Sequence, residues 1–141
     1  MRKITLLSTL VALTLSVLAA CSSKSGYDQA EANRLSEKVI NGDDMTQTDY
    51  DMMITQCEGA ATIINDKFDT LLELKKKGDA KKLAEAFESC TDDEIMAAAE
   101  NFQTLGEHLN HAPLDSANAR RWKEFQPQAQ DLVTKMFAVF Q

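Results

Sequence analysis

From Tyr50 to Leu72 the apolar residues return in steps of three and four: Tyr50, Met53, Ile54, Cys57, Ala61, Ile64, Phe68, Leu71 and Leu72. That spacing lines one side of a helix with 3.6 residues per turn, and a strand, whose faces alternate every two residues, cannot gather it on one face. The run closes on Lys75, Lys76, Lys77 and Gly78, cations for the negative helix end followed by a residue that tolerates left-handed backbone. At its start Thr48 precedes Asp49, Tyr50 and Asp51, which predicts a Thr48 cap with carboxylates in the first turn. A helix this long and one-sided needs cover along its whole length.

The rest of the chain supplies it in the same pattern. Ala32, Leu35, Val39 and Ile40 define a first helix over 27–40, stopped by Asn41 and Gly42. Asp79 caps a short helix that turns Leu83, Ala84 and Phe87 to one side before Cys90. Thr91 and Glu94 have capping-box spacing and open a helix that carries Ile95, Ala98, Ala99, Phe102, Leu105 and Leu109 inward, ending before Pro113. Asp115 or Ser116 caps the last helix, whose buried side is expected to hold Ala119, Trp122, Phe125, Ala129, Leu132, Val133, Met136, Phe137 and Phe140. Pro127 interrupts that run without shifting its phase, which predicts a kink. No segment alternates long enough to form a strand, and the brief links fold neighbours back on each other. The expected fold is an all-α antiparallel helical bundle, one domain over 27–141. It has three long arms, the middle one broken near Thr91, plus a short first helix.

Ahead of this domain stands a different kind of sequence. Residues 1–20 combine Arg2 and Lys3, an uncharged apolar stretch from Ile4, and small residues at Ala19 and Ala20. Such a segment reads as a cleaved secretory signal peptide, its apolar part being short for a retained span. Leu18, Ala19, Ala20 and Cys21 resemble the lipobox of bacterial lipoprotein precursors. The resemblance implies cleavage before Cys21, a diacylglycerol thioether on its sulfur and an acyl chain on its amine. No cofactor is implied beyond that covalent lipid. More than one chain is needed for stable anchoring, each buried methylene contributing about 0.8 kcal/mol. In such lipoproteins an aspartate after the cysteine favours inner-membrane retention. Here the residue is Ser22, so the expected location is the outer membrane, facing the periplasm, with surface display still open. Residues 21–26 then form the lipidated end and a tether, Ser22 to Gly26, that reaches at most about 18 Å.

Cleavage removes Arg2 and Lys3, leaving 13 basic side chains against 22 acidic ones and a formal charge of −9. An acidic body of this kind lacks the basic stripe that nucleic acid requires. A charged fraction of 26% threaded with apolar residues also excludes a disordered acidic tail.

Cys57 and Cys90 would meet an oxidising compartment, but in a straight hairpin folded at Gly78 they sit about 14 Å out of register, beyond the roughly 7 Å Cα limit for a disulfide. Two core thiols are the expectation. His108 and His111, with Glu107 beside them, have a spacing that could share a metal, yet neither a cysteine pair nor an H-E-x-x-H pattern supports a site. Asp43, Asp44, Asp49 and Asp51 lack the pattern of a calcium loop and read as loop and cap residues. Arg120, Arg121, Trp122 and Lys123 could meet headgroups or a partner, but the apolar stripe already accounts for Trp122 as a core anchor.

No nucleophile elbow, phosphate loop, paired-cysteine motif or haem attachment sequence is present. The leading expectation is therefore a non-enzymatic, membrane-tethered helical module that binds an envelope protein partner or has a structural role. The alternative is a small-ligand or metal-binding protein with a cleft near Glu107, His108 and His111.

Overall fold

The computed structural model describes residues 26–90 and 93–141, with backbone alone for residues 90 and 93. The leader, Cys21, most of the tether and the Thr91 end of the expected capping box lie outside the described residues. Within them the chain is all-α. Five helices follow one another: α1 (Gln29–Asn41), α2 (Gln47–Lys77), α3 (Ala80–Cys90), α4 (Asp93–His111) and α5 (Ser116–Phe140).

Each boundary whose cap is described has a local cause. Asp28 is extended and its carboxylate accepts the Glu31 amide, opening α1. At the far end Gly42 adopts φ 70°, which lets its own amide reach the Val39 carbonyl and the Asp43 amide reach that of Lys38. Gly78 closes α2 in the same left-handed conformation. The N-terminal cap of α2 is Thr46, not the expected Thr48. Thr46 Oγ1 accepts the Asp49 amide at 3.1 Å while the Asp49 carboxylate accepts the Thr46 amide at 3.0 Å, a reciprocal box that satisfies two orphan donors. Thr48 falls inside the first turn and is exposed. Asp79 accepts the Lys82 amide at the start of α3, and Asp115 accepts that of Asn118 at the start of α5. Helix α5 runs unbroken through Pro127.

The arms alternate in direction. Tyr50 at the start of α2 stacks on His108 at the end of α4, their ring centroids 6.1 Å apart, so these helices are antiparallel. Trp122 near the start of α5 donates its indole N–H to Asn110 at the end of α4, which makes that pair antiparallel too. Helices α2 and α5 are in consequence parallel. Gln47 meets Asn118 at one end of the pair, and Lys75 donates to the Ala138 and Val139 carbonyls at the other.

Leu35, Met53, Ile54, Cys57, Ala98, Leu105, Leu109, Trp122 and Phe125 fill the core between these helices. One polar cluster pins α1 to it. The buried Asn101 amide donates to Asn33 Oδ1 (2.8 Å) and to the Tyr27 hydroxyl (3.3 Å), and its carbonyl accepts from Ser36 Oγ (2.7 Å). Burial is the main cause that raises the Tyr27 hydroxyl above the usual phenol pKa, although the Asn101 bond pulls the other way.

Several residues expected inside are not. Ile40 is 75% exposed because α1 ends one residue later, beyond the part of α2 it covers. Ala84, Ala99 and Ala119 are exposed on their helices. Val133, Met136, Phe137 and Phe140, the final third of the α5 stripe, are exposed as well.

The capping box generates two expectations. Thr46→Ala lowers the unfolding free energy by about 1 kcal/mol, whereas Thr48→Ala stays within about 0.5 kcal/mol of the parent in denaturant titration. The Thr46 backbone amide and then Lys38, whose Nζ is 3.0 Å away, hold the Asp49 carboxyl below its ordinary pKa. That stabilisation is complete above the free aspartate value of about 3.9 and is lost as pH falls through the lower folded-state value. Asp49→Asn is expected to flatten this part of the acid-unfolding curve.

Candidate functional site: an apolar groove

The exposed end of α5 borders a groove of about 610 Å³ between α4 and α5. Ile64, Phe68 and Leu71 of α2 form its floor. Ile95, Met96, Ala99, Phe102 and Gln103 make the α4 wall; Leu132, Val133, Met136 and Phe140 make the α5 wall; Phe87 of α3 closes the end. Its lining is almost wholly apolar, with only Lys67 and Gln103 bringing polar groups to the rim.

Helix lengths create the opening. At 1.5 Å per residue the 31-residue α2 is about 46 Å long and the 13-residue α1 about 20 Å, so α1 covers less than half of it. Beyond the end of α1 the axis is surrounded, among the described residues, by α2, α5 and the divided arm of α3 and α4. Near their junction α4 and α5 are held by the Asn110–Trp122 bond and by an edge contact of Phe102 with Phe125, centroids 6.2 Å apart. Farther on, the space between them is the groove. Phe140 illustrates the result: its ring approaches Phe68 and Phe87 at 6.5 and 5.9 Å, yet the residue is 70% exposed.

The α5 wall is bolted to the floor by charge. Lys135 reaches Asp69 (2.7 Å) and Asn65 (2.7 Å), and Lys75 caps the α5 carbonyls. Nearer the junction Arg121 contacts Asp51 at 2.5 Å, Glu58 at 2.9 Å and Thr55 at 2.9 Å. On α4, Met96, Ala99 and Gln103 stand about 140–160° round the helix from Asn101, so the mouth faces away from α1 and Tyr27.

The residues singled out from sequence lie elsewhere. His108 is folded against Tyr50 near the opposite end of the bundle; its buried Nε2 has no hydrogen-bond partner among the described residues, and His111 and Glu107 are exposed. Among the described residues no group of three or more His, Cys, Asp or Glu side chains is placed to hold a metal ion. Glu107, His108 and His111 do not line the groove; a smaller cleft beside them is bounded by Leu109, Asn110, Ala112 and Trp122. Asp49 and Asp51 are engaged by Lys38 and Arg121, while Asp43 and Asp44 are exposed. Trp122 is a core residue, and Arg121 is committed to its carboxylates. Cys57 is a buried free thiol, pushed up to about 12 by desolvation and then by Glu58; the Cys90 side chain lies outside the described residues.

Two expectations follow from these placements. His108→Phe keeps an aromatic ring on Tyr50 and removes the unsatisfied nitrogen, so its unfolding free energy should equal the parent's or exceed it by about 1 kcal/mol. Cys57 should resist alkylation at neutral pH in the folded chain and react once denaturant opens the core, as read by mass spectrometry. Protein-family models, curated proteins and solved structures offer no match to the chain.

Proposed function

We propose that this chain is a lipid-anchored protein of the bacterial cell envelope, held by acylated Cys21 at the periplasmic face of the outer membrane. Its helical domain serves as a non-enzymatic binding module. The observation that carries this reading is the apolar groove, whose side chains are left uncovered by the described helices. Clusters of exposed apolar side chains of this kind mark interaction surfaces on soluble domains. The groove suits the apolar face of a partner helix, since apolar clefts between helices accept side chains spaced by three and four residues. Its mouth is turned away from the side on which the tether leaves, so a periplasmic partner has access to it in the anchored state.

A second reading, a small apolar ligand, is favoured by one quantity: about 610 Å³ lies within the roughly 300–1,000 Å³ range of small-molecule pockets.

Crosslinking in intact cells separates the two. A photoreactive side chain in place of Met96, which is half exposed on the groove wall, should capture one reproducible envelope protein. Ala99→Trp, which fills the groove from an exposed position, should abolish the adduct, and Ala119→Trp, outside it, should not. A ligand carrier would instead give no protein adduct, with a bound apolar compound in the purified protein that raises its melting temperature. The anchor is tested apart from the groove, by fatty-acid labelling of the parent chain and loss of both label and membrane fractionation in Cys21→Ser.

A further inference from the structure

The bundle end where α2 turns into α3 carries five lysines, Lys75, Lys76, Lys77, Lys81 and Lys82, within eight residues, with Asp79 as the only acid among them. They are more than a third of the 13 cations in a mature chain of formal charge −9. Helix chemistry accounts for some of them. Lys75 to Lys77 complement the negative end of α2, and Lys75 also caps α5. It does not account for Lys81 and Lys82, which stand in the first turn of α3, where the dipole disfavours cations. Lys82 has Asp79 at 3.8 Å; Lys76, Lys77 and Lys81 are exposed. The parallel course of α2 and α5 brings Phe137, 64% exposed and outside the groove lining, to the same end.

Cations at the same end as an exposed aromatic ring have the chemistry of a surface that meets anionic headgroups while the ring enters the interface. We infer that this end of the bundle is a second membrane contact, specific for an anionic lipid surface. The inference rests on the membrane placement proposed above and adds to it an orientation. Asp28, two residues after the tether, donates its amide to Gln56. Along α2 the distance from Gln56 to Lys77 is about 31 Å, against a tether reach of about 18 Å. With both anchor and tip in contact, the bundle leans at no more than about 35° to the membrane plane.

The test uses the full acylated chain in vesicles containing brominated lipids, which quench tryptophan on contact. Trp122 is buried and supplies a constant background, so Phe137→Trp reports the tip and Ile40→Trp reports the opposite end. The added Phe137→Trp emission should be quenched in vesicles containing brominated phosphatidylglycerol and much less in brominated phosphatidylcholine alone, while Ile40→Trp emission is unaffected in both. Gln at Lys76, Lys77 and Lys81 should shift the tip's contact equilibrium roughly fivefold per lysine removed at low ionic strength. Absence of tip quenching in the anionic vesicles, with Cys21 still acylated, overturns the tip contact and leaves the anchor standing. Equal quenching in the two lipids overturns the requirement for anionic headgroups. Should Cys21 carry no acyl chain, quenching of unacylated protein by the anionic vesicles alone still supports the tip.

Discussion

The structure depends on a disparity of length. A 31-residue helix offers an apolar face along all of its roughly 46 Å, and the first helix reaches along only about 20 Å of it. Near the start of α2 four helices close around Met53, Ile54, Cys57 and Leu105, each of them at zero exposure. Toward its end three of the described arms, α2, α5 and the divided α3–α4, share the same perimeter, and their side chains do not fill the space between α4 and α5. The groove is what remains of the core when one of its four walls stops early.

Polar groups determine which helices stay in register, and they are unevenly distributed. The parallel pair α2 and α5 is fastened at intervals along its length by Gln47, Arg121, Lys135 and Lys75. Exposed ion pairs are individually worth little, with a median of about 0–1 kcal/mol, so these contacts act mainly by excluding other alignments of two apolar faces. Asn101 has a different standing. Its amide and carbonyl are buried with three partners, so losing any one of Tyr27, Asn33 or Ser36 leaves part of a polar group inside the core without compensation.

Much of the fold was legible because helix ends obey local rules. The glycine stops at Gly42 and Gly78, the Asp79 and Asp115 caps and the arm order all follow from short-range chemistry that a single sequence displays. The cap of α2 misled because Thr46 and Thr48 each have an aspartate three residues on; Asp49 closes the reciprocal box with Thr46 and also meets Lys38 of α1, whereas Asp51 is taken by Arg121 of α5, a difference that only tertiary contacts reveal. The groove was not legible from periodicity. A stripe records which residues share a face and is silent about whether anything lies opposite, so Val133, Met136, Phe137 and Phe140 read as core. The available signal was arithmetic on helix lengths: a 25-residue α5 and a 31-residue α2 against a 13-residue α1 and a divided middle arm. His108 and His111 show the reverse error, in which proximity in sequence suggested a joint role and one ring turned inward while the other stayed outside.

The unequal fastening of the two walls has a mechanical consequence. Helix α5 is tied to the floor at Asp69 and at its own carbonyls, and α4 is tied to α1 from Asn101 onward. On the other side α3 meets α2 through the bond from Lys67 to Ser89 and meets α5 through the rings of Phe87 and Phe140. The two sides of the cleft are thus moored to different partners, one to the floor itself and the other to the short first helix, so the spacing between them is set indirectly, through the core.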